Sequence, residues 1–194
     1  ALAKRRLGDL AGEPAVVDAA QDAGLKIKIN TGVKTTLHIF AGSPTDGALP
    51  TSALIPFAGA LYGTTYSGGS SNYGTVYKID TANGSGYASL HSFGTAGDGA
   101  TAQGALTPVF VDPAQPGLLY GTTIAGGGAG NGTVYSIDAA GNEIMRYSFT
   151  GGSDGASPES ELIDLVDGNG NNQLYGTGYA GGQYGYGTVF RFTP

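Results

Sequence analysis

The sequence predicts an all-β, β-propeller-like fold: three four-stranded blades with permuted, strand-sharing closure, preceded by a short N-terminal arm. Three observations carry that expectation. A unit of about 55 residues occurs three times, and self-similarity at such a period marks a repeat architecture. Each unit holds four short segments rich in Tyr, Val, Thr, Ile and Phe, parted by Gly, Asn, Asp, Ser or Pro. The segments also run out of phase, opening on the last strand of a unit and closing on the third.

The repeat is visible residue by residue. Leu61-Tyr62-Gly63-Thr64-Thr65 returns as Leu119-Tyr120-Gly121-Thr122-Thr123 and as Leu174-Tyr175-Gly176-Thr177-Gly178. A glycine-rich turn follows each copy: Ser67-Gly68-Gly69, Ala125-Gly126-Gly127 and Ala180-Gly181-Gly182. Then come Gly74-Thr75-Val76-Tyr77, Gly132-Thr133-Val134-Tyr135 and Gly187-Thr188-Val189-Phe190. Leu37-His38-Ile39-Phe40 matches Leu90-His91-Ser92-Phe93 and Arg146-Tyr147-Ser148-Phe149, and each is followed by Asp-Gly-Ala, at Asp46, Asp98 and Asp154. An apolar stretch completes the unit at Ala53-Leu54-Ile55, Ala105-Leu106-Thr107 and Glu161-Leu162-Ile163.

With the strands named A to D from that apolar stretch to the Leu-His-x-Phe segment, the blades run over about residues 53–93, 105–149 and 161–192. The segments are too short and too often broken by Gly for helices. Residues 75–80 alternate with period two, setting Val76 and Lys78 on one face and Tyr77 and Ile79 on the other. The pattern leaves open which face is core. The last blade lacks strand D, and a strand D at residues 35–40 has no blade before it. Pairing these two orphans satisfies an exposed edge and completes the third blade. Propellers hold four to eight blades, so three predict self-association or a larger protein assembly: two copies sharing strands give six, and the alternatives are three blades of a longer parent chain or an open array or filament.

Residues 1–34 are expected to form an arm or cap. Residues 14–23, with Pro14 at the start and several Ala, suit a short helix. Residues 25–29 alternate strictly and suit a strand, with Leu25, Ile27 and Ile29 on one face.

The ordered motifs Leu-Tyr-Gly-Thr-Thr, Gly-Gly and Gly-Thr-Val-Tyr/Phe resemble the Gloeo/Verruco (GloVer) tandem-repeat family. The turn from Gly151 to Ala156 and the closing Thr193-Pro194 are similar as well. The resemblance covers about residues 35–194 and leaves residues 1–34 outside it. It implies a propeller-like β fold in a bacterial protein that is extracellular or on a cell or particle surface. It carries over no catalytic residues.

Charge and composition narrow the function. Net charge is −6, and from residue 35 onward three basic residues face eleven acidic ones. Such a body repels a phosphate backbone, so no nucleic-acid partner is expected. The Lys4-Arg5-Arg6 cluster is too short to change this and suits a solvated tail. There are no cysteines, which removes disulfides, thiolate metal sites and a Cys nucleophile. No apolar run approaches the roughly 20 residues of a membrane-spanning helix.

Chemistry-bearing residues favour binding over catalysis. His38 and His91 share one repeat position, where the third unit has Tyr147, so a structural role is expected. No Gly-x-Ser-x-Gly elbow occurs. Glu159, Glu161, Asp164 and Asp167 gather in one repeat only and suit a solvated loop. No catalytic residue, cofactor or metal site is therefore expected. Asp46, Asp98 and Asp154 recur before Gly, which suits turn capping; alternatively they form a rim of carboxylates for Ca²⁺ or sugar hydroxyls. Tyr66, Tyr73, Tyr179, Tyr184 and Tyr186 lie in or beside the glycine-rich turns, where they shield edges or offer contact surface for a protein or a glycan. The expected function is a non-catalytic structural or assembly module, with a glycan-binding, lectin-like propeller as the alternative.

Overall fold

A computed structural model describes residues 17–19, 27–29, 34–80, 86–94, 97–110 and 116–194. Every strand pairing between its elements is antiparallel, and no helix occurs among the described residues. The chain divides into two compact units, Ala1–Thr36 and Leu37–Pro194.

The first unit contains a hairpin of β1 (Val17–Ala19) and β2 (Ile27–Ile29), with Val17 opposite Ile29. Over residues 17–19 this corrects the helix expected across residues 14–23; residues 14–16 and 20–23 lie outside the described residues. Val17 is β-branched, a stiff side chain that favours strands, and it finds a β-branched partner in register. Cross-strand pairing overrides the helix preference of the alanines, which is a weak prior. The strand expected at residues 25–29 is present as β2. Leu25 and the Lys4-Arg5-Arg6 cluster lie outside the described residues.

The second unit repeats one pattern. Its first copy comprises β3 (Gly47–Ala48), β4 (Ile55–Phe57), β5 (Ala60–Thr65), β6 (Ser67–Gly68), β7 (Thr75–Asp80) and β8 (Ala88–Ser92). Its second comprises β9 (Gly99–Ala100), β10 (Thr107–Val109), β11 (Leu118–Thr123), β12 (Ala125–Gly126), β13 (Thr133–Ile137) and β14 (Glu143–Ser148). Its third comprises β15 (Ala156–Pro158), β16 (Ile163–Val166), β17 (Asn172–Ala180) and β18 (Thr188–Phe192). The sheets run β4-β5-β7-β8, then β10-β11-β13-β14, then β16-β17-β18, with β15 also on β17. None of these sheets is closed. The small pairs β3–β6 and β9–β12 tie each Asp-Gly-Ala turn to the glycine-rich turn of the same copy.

The Leu-Tyr-Gly-Thr motif has a packing cause. Gly63, Gly121 and Gly176 stand opposite Tyr77, Tyr135 and Phe190 on the next strand. Each aromatic ring lies across its glycine: a Cβ at Gly121 would sit 2.5 Å from the Tyr135 ring. Only glycine admits that approach, which explains why the motif keeps Gly inside a strand.

The period-two pattern of residues 75–80 resolves with both faces covered. Val76, Tyr77 and Ile79 are all buried. The hydrophobic cores lie between neighbouring sheets. One joins Phe57, Tyr62 and Val76 of the first sheet to Phe93, Leu106 and Leu119 of the next copy. The other joins Val109, Tyr120 and Val134 to Phe149, Leu162 and Leu174. Sheets buried on both sides read as continuous apolar runs rather than clean alternation.

Residues 35–40 do not form the expected strand D; they run without regular structure and pair with no strand. The expected completion of the third sheet by this segment is therefore absent, and β18 pairs only with β17. The segment is held instead by side chains. Phe40 packs edge-on against Tyr77, with ring centroids 5.1 Å apart. Phe93 on Tyr135 and Phe149 on Phe190 repeat that contact. A strand needs a partner edge, and within the described residues none is offered to residues 35–40.

Candidate functional site

Each Asp-Gly-Ala turn is the centre of a junction between one copy of the repeat and the strand D that enters it. At the first, Asp46 accepts hydrogen bonds from the Ala41 N–H at 2.8 Å and the Gly47 N–H at 2.7 Å. His38 Nε2 lies 2.9 Å from the same carboxylate. The Tyr87 hydroxyl donates to it too, and the Tyr87 ring stacks on His38 with 3.5 Å between centroids. At the second, Asp98 accepts from the Gly94 and Gly99 N–H groups, and His91 Nε2 lies 3.1 Å away. At the third, Tyr147 replaces His and donates to Asp154 at 2.9 Å, with the Thr150 N–H at 2.9 Å and the Thr150 hydroxyl as further donors.

These partners set the acidity of the carboxyls. Burial pushes Asp46 up, but the hydrogen bonds from Tyr87, Ala41, His38 and Gly47 outweigh it and hold it below the usual aspartate value. Asp98 behaves alike: burial opposes, and His91 with the Gly99 and Gly94 amides prevails. The Thr150 hydroxyl and amide lower Asp154, against slight burial. A carboxylate that accepts two or three hydrogen bonds is committed to its turn. The three aspartates sit in separate copies of the repeat, and among the described residues they form no common cation-sized cluster.

The ring nitrogen and carboxylates of His91, Asp98 and Glu143 do converge, all within 4.8 Å of one another. Glu143 opens β14, and its Oε1 is buried without a hydrogen-bond partner. Burial, then the adjacent Asp98 charge, pushes its carboxyl up to about 6. Glu143 stands where Tyr87 stands in the first copy: Ile79 lies two ladder positions beyond Tyr77 in β7, as Ile137 lies beyond Tyr135 in β13, and Ile137 pairs with Glu143. Sequence reasoning passed over both residues. The available signal was spacing, since each lies four residues before the His or Tyr of strand D.

The candidate tyrosines separate into two groups. Tyr66 and Tyr73 belong to the first copy, and Tyr73 is used: its carbonyl accepts from the Thr101 N–H at 2.7 Å. A Cβ at Gly94 would meet the Tyr73 ring at 2.6 Å. Tyr179, Tyr184 and Tyr186 belong to the third copy, and all three are exposed. Asn131, the second-copy counterpart of Tyr73, likewise accepts from the Ser157 N–H at 2.9 Å. Tyr186 holds the same place in the third copy.

The trailing end of the third sheet therefore carries unused versions of contacts made inside the chain. Val76 and Val134 are 0% exposed, whereas Val189 is 82% exposed. Leu165, equivalent to buried Phe57 and Val109, is 55% exposed. At the leading end, Leu54 is 43% exposed where Leu106 and Leu162 are 1% and 3% exposed. A groove of about 290 Å³ runs along β18, lined by Tyr147, Phe149, Asp154, Val189, Phe190 and Arg191, among others.

No curated protein and no solved structure matches the chain. A family model described as the Gloeobacter/Verrucomicrobia repeat matches residues 18–169. The match begins earlier than the expected residue 35, so residues 18–34 of the arm fall within the likeness, and it ends at residue 169 rather than at the expected 194. It spans more than three quarters of the sequence. With the repeated junctions and inter-sheet cores now placed on those residues, the chain belongs to the Gloeobacter/Verrucomicrobia repeat family.

Proposed function

We propose that this protein is a non-catalytic assembly module whose repeats are propeller blades that continue head to tail from one copy to the next. One observation carries the reading. Each internal core takes three residues from one sheet and its remainder from the following copy, and the two ends hold the matching halves of a further core. Leu165, Tyr175 and Val189 are the trailing half; Phe40, Leu54 and Leu61 are the leading half. Such an interface is heterologous, so it builds a ring when the rotation closes and a filament when it does not. Two copies in a ring give six blades, within the usual range.

The same joint satisfies the backbone. Residues 35–40 of one copy lie along β18 of its neighbour, as β8 lies along β7. Transferring the register of Thr75 opposite Ser92 and Val76 opposite His91 places Thr188 opposite Ile39 and Val189 opposite His38. The segment need not leave its own chain, because Phe40 and His38 anchor it there while its outer edge stays free. Burying a Val or Leu side chain is worth roughly 1.5–3 kcal/mol. Several such positions per joint offset an association cost of about 4–15 kcal/mol.

We place the module outside the cell or on a cell or particle surface, supported by the family resemblance and by a fold that uses no cysteine. Light scattering tests the assembly. The wild type is expected to run as a dimer or larger species, and Val189→Glu as a monomer with unchanged circular dichroism, since Val189 is exposed in the single chain. A wild type that stays monomeric at high concentration overturns the reading.

The exposed Tyr179, Tyr184 and Tyr186 support a second reading, a glycan-binding surface in the lectin-like manner, because exposed tyrosine stacks on sugar rings at low entropy cost. Multivalent sugars on an array are the test; binding lost in a triple Tyr→Ala variant supports it, and a blank array removes it.

A further inference from the structure

The groove along β18 lies where the internal junctions place a residue of the next strand D. At the first junction the residue four positions before the His of strand D, Tyr87, reaches back and donates to Asp46. At the second, Glu143, four positions before Tyr147, comes against Asp98 and His91. At the third, β18 pairs only with β17 among the described residues, and Asp154 and Tyr147 line an open groove. Asp46 and Asp98 are buried, while Asp154 remains half-exposed. The residue four positions before His38 is Lys34.

We infer that Lys34 of an incoming second copy seats on Asp154 and Tyr147, turning the head-to-tail joint into a charge-selected contact. The inference rests on the assembly proposed above. The internal junctions use a neutral donor and a carboxyl at this place; the joint between copies uses a cation. Asp154 keeps its charge, because the Thr150 hydroxyl and amide already stabilise the carboxylate. Arg191 also lines the groove. Asp154 is the carboxylate in that lining, and it is the acceptor for Lys34. Of the nine basic residues in the sequence, Lys34 is the one that the spacing of strand D brings to this point.

A cation here also gives the joint a direction. The acidic body of the protein repels a second copy approaching at random, and an opposite-charge pair at one place favours a single register. The two internal junctions cannot accept the same arm, because Tyr87 and Glu143 already fill their places.

The test measures self-association of the full-length protein by sedimentation at about 50 and 300 mM NaCl, over about a Debye length of screening change. Wild type is expected to associate more weakly at the higher salt. Lys34→Tyr, which copies Tyr87, is expected to associate with little salt dependence. Lys34→Glu is expected to weaken association about tenfold at low salt, with unchanged circular dichroism. If all three associate alike with the same salt dependence, the Lys34 contact is wrong while head-to-tail assembly stands. If the wild type does not associate under any condition, the assembly itself is wrong and the contact falls with it.

Discussion

At the scale of single residues, the strongest tension in the molecule lies around Glu143. Its carboxyl is half-buried beside Asp98, and its folded value of about 6 stands above the ordinary 4.5. The native state thus holds this proton more tightly than the unfolded chain does. Stability from this group is full below about pH 4.5 and falls as the pH rises through about 6. Glu143→Gln keeps the shape and removes the charge, so it is expected to be about 1 kcal/mol more stable than wild type above pH 7. Urea unfolding at several pH values reads this, and the gain should vanish near pH 4.5. Asp46 and Asp98 carry the opposite sign: their lowered values contribute stability above the unfolded aspartate range, which is lost as the pH falls through their folded values. The Tyr135 hydroxyl is buried without a partner, and the third copy has Phe190 in its place. Tyr135→Phe should raise stability by about 1 kcal/mol in the same assay, since an unmet buried hydroxyl costs about that much.

The aspartates were legible as turn formers because Asp-Gly-Ala recurs in register. Their partners were not. Tyr87 and Glu143 share a position but no chemistry, so no motif marks them; only the folded strand brings either near a carboxylate. The left-handed backbone at Leu49, Thr101 and Ser157 was equally hidden, because three unlike residues occupy it. Its cause is visible in the fold: it turns the Thr101 and Ser157 amides onto the Tyr73 and Asn131 carbonyls of the preceding copy.

At the scale of elements, the sheets follow from the glycine placements. Gly121 is crossed by the Tyr135 ring, so Gly121→Ala must push that ring or its strand aside. A loss of about 1–3 kcal/mol is expected, as for overpacked cores, and thermal unfolding measures it. The turn between β4 and β5 shows the reverse case. Phe57 pairs with Ala60 across a two-residue loop in which Ala58 and Gly59 both have positive φ. This is the backbone that favours Asn-Gly, so Ala58→Asn should stabilise the hairpin by about 0.5–1 kcal/mol. The B and C strands were readable from sequence because aromatic and β-branched residues cluster there. Residues 14–23 were read as helical because the alanines there carry a local preference, while the pairing of Val17 with Ile29 is a non-local fact. Residues 35–40 carry strand chemistry without a strand, because no sheet edge among the described residues pairs with them; in the proposed assembly a second copy offers that edge.

At the scale of the whole molecule, each core forms between one sheet and the next copy of the repeat. Two cores lie between three sheets, while Leu54 in the first sheet's copy and Leu165 and Val189 in the third are exposed where their equivalents are buried. The phase of the repeat pointed to these positions in the sequence, although the expected strand over residues 35–40 does not form. The depth of the mismatch became measurable only with burial: equivalent valines differ by 0% against 82% exposure. Exposed apolar surface of this kind supports the proposed head-to-tail interface.

Cysteine cross-linking between copies tests that account most directly, because the natural chain has no cysteine to interfere. Opposed residues of antiparallel strands have Cα atoms about 4.5–5.5 Å apart, within disulfide range. One protein carries Thr188→Cys and a second carries Ile39→Cys; they are mixed and oxidised, then run on a non-reducing gel. The account predicts a covalent dimer in the mixture, absent when either protein is oxidised alone. A mixture that remains monomeric on the gel would contradict head-to-tail strand sharing.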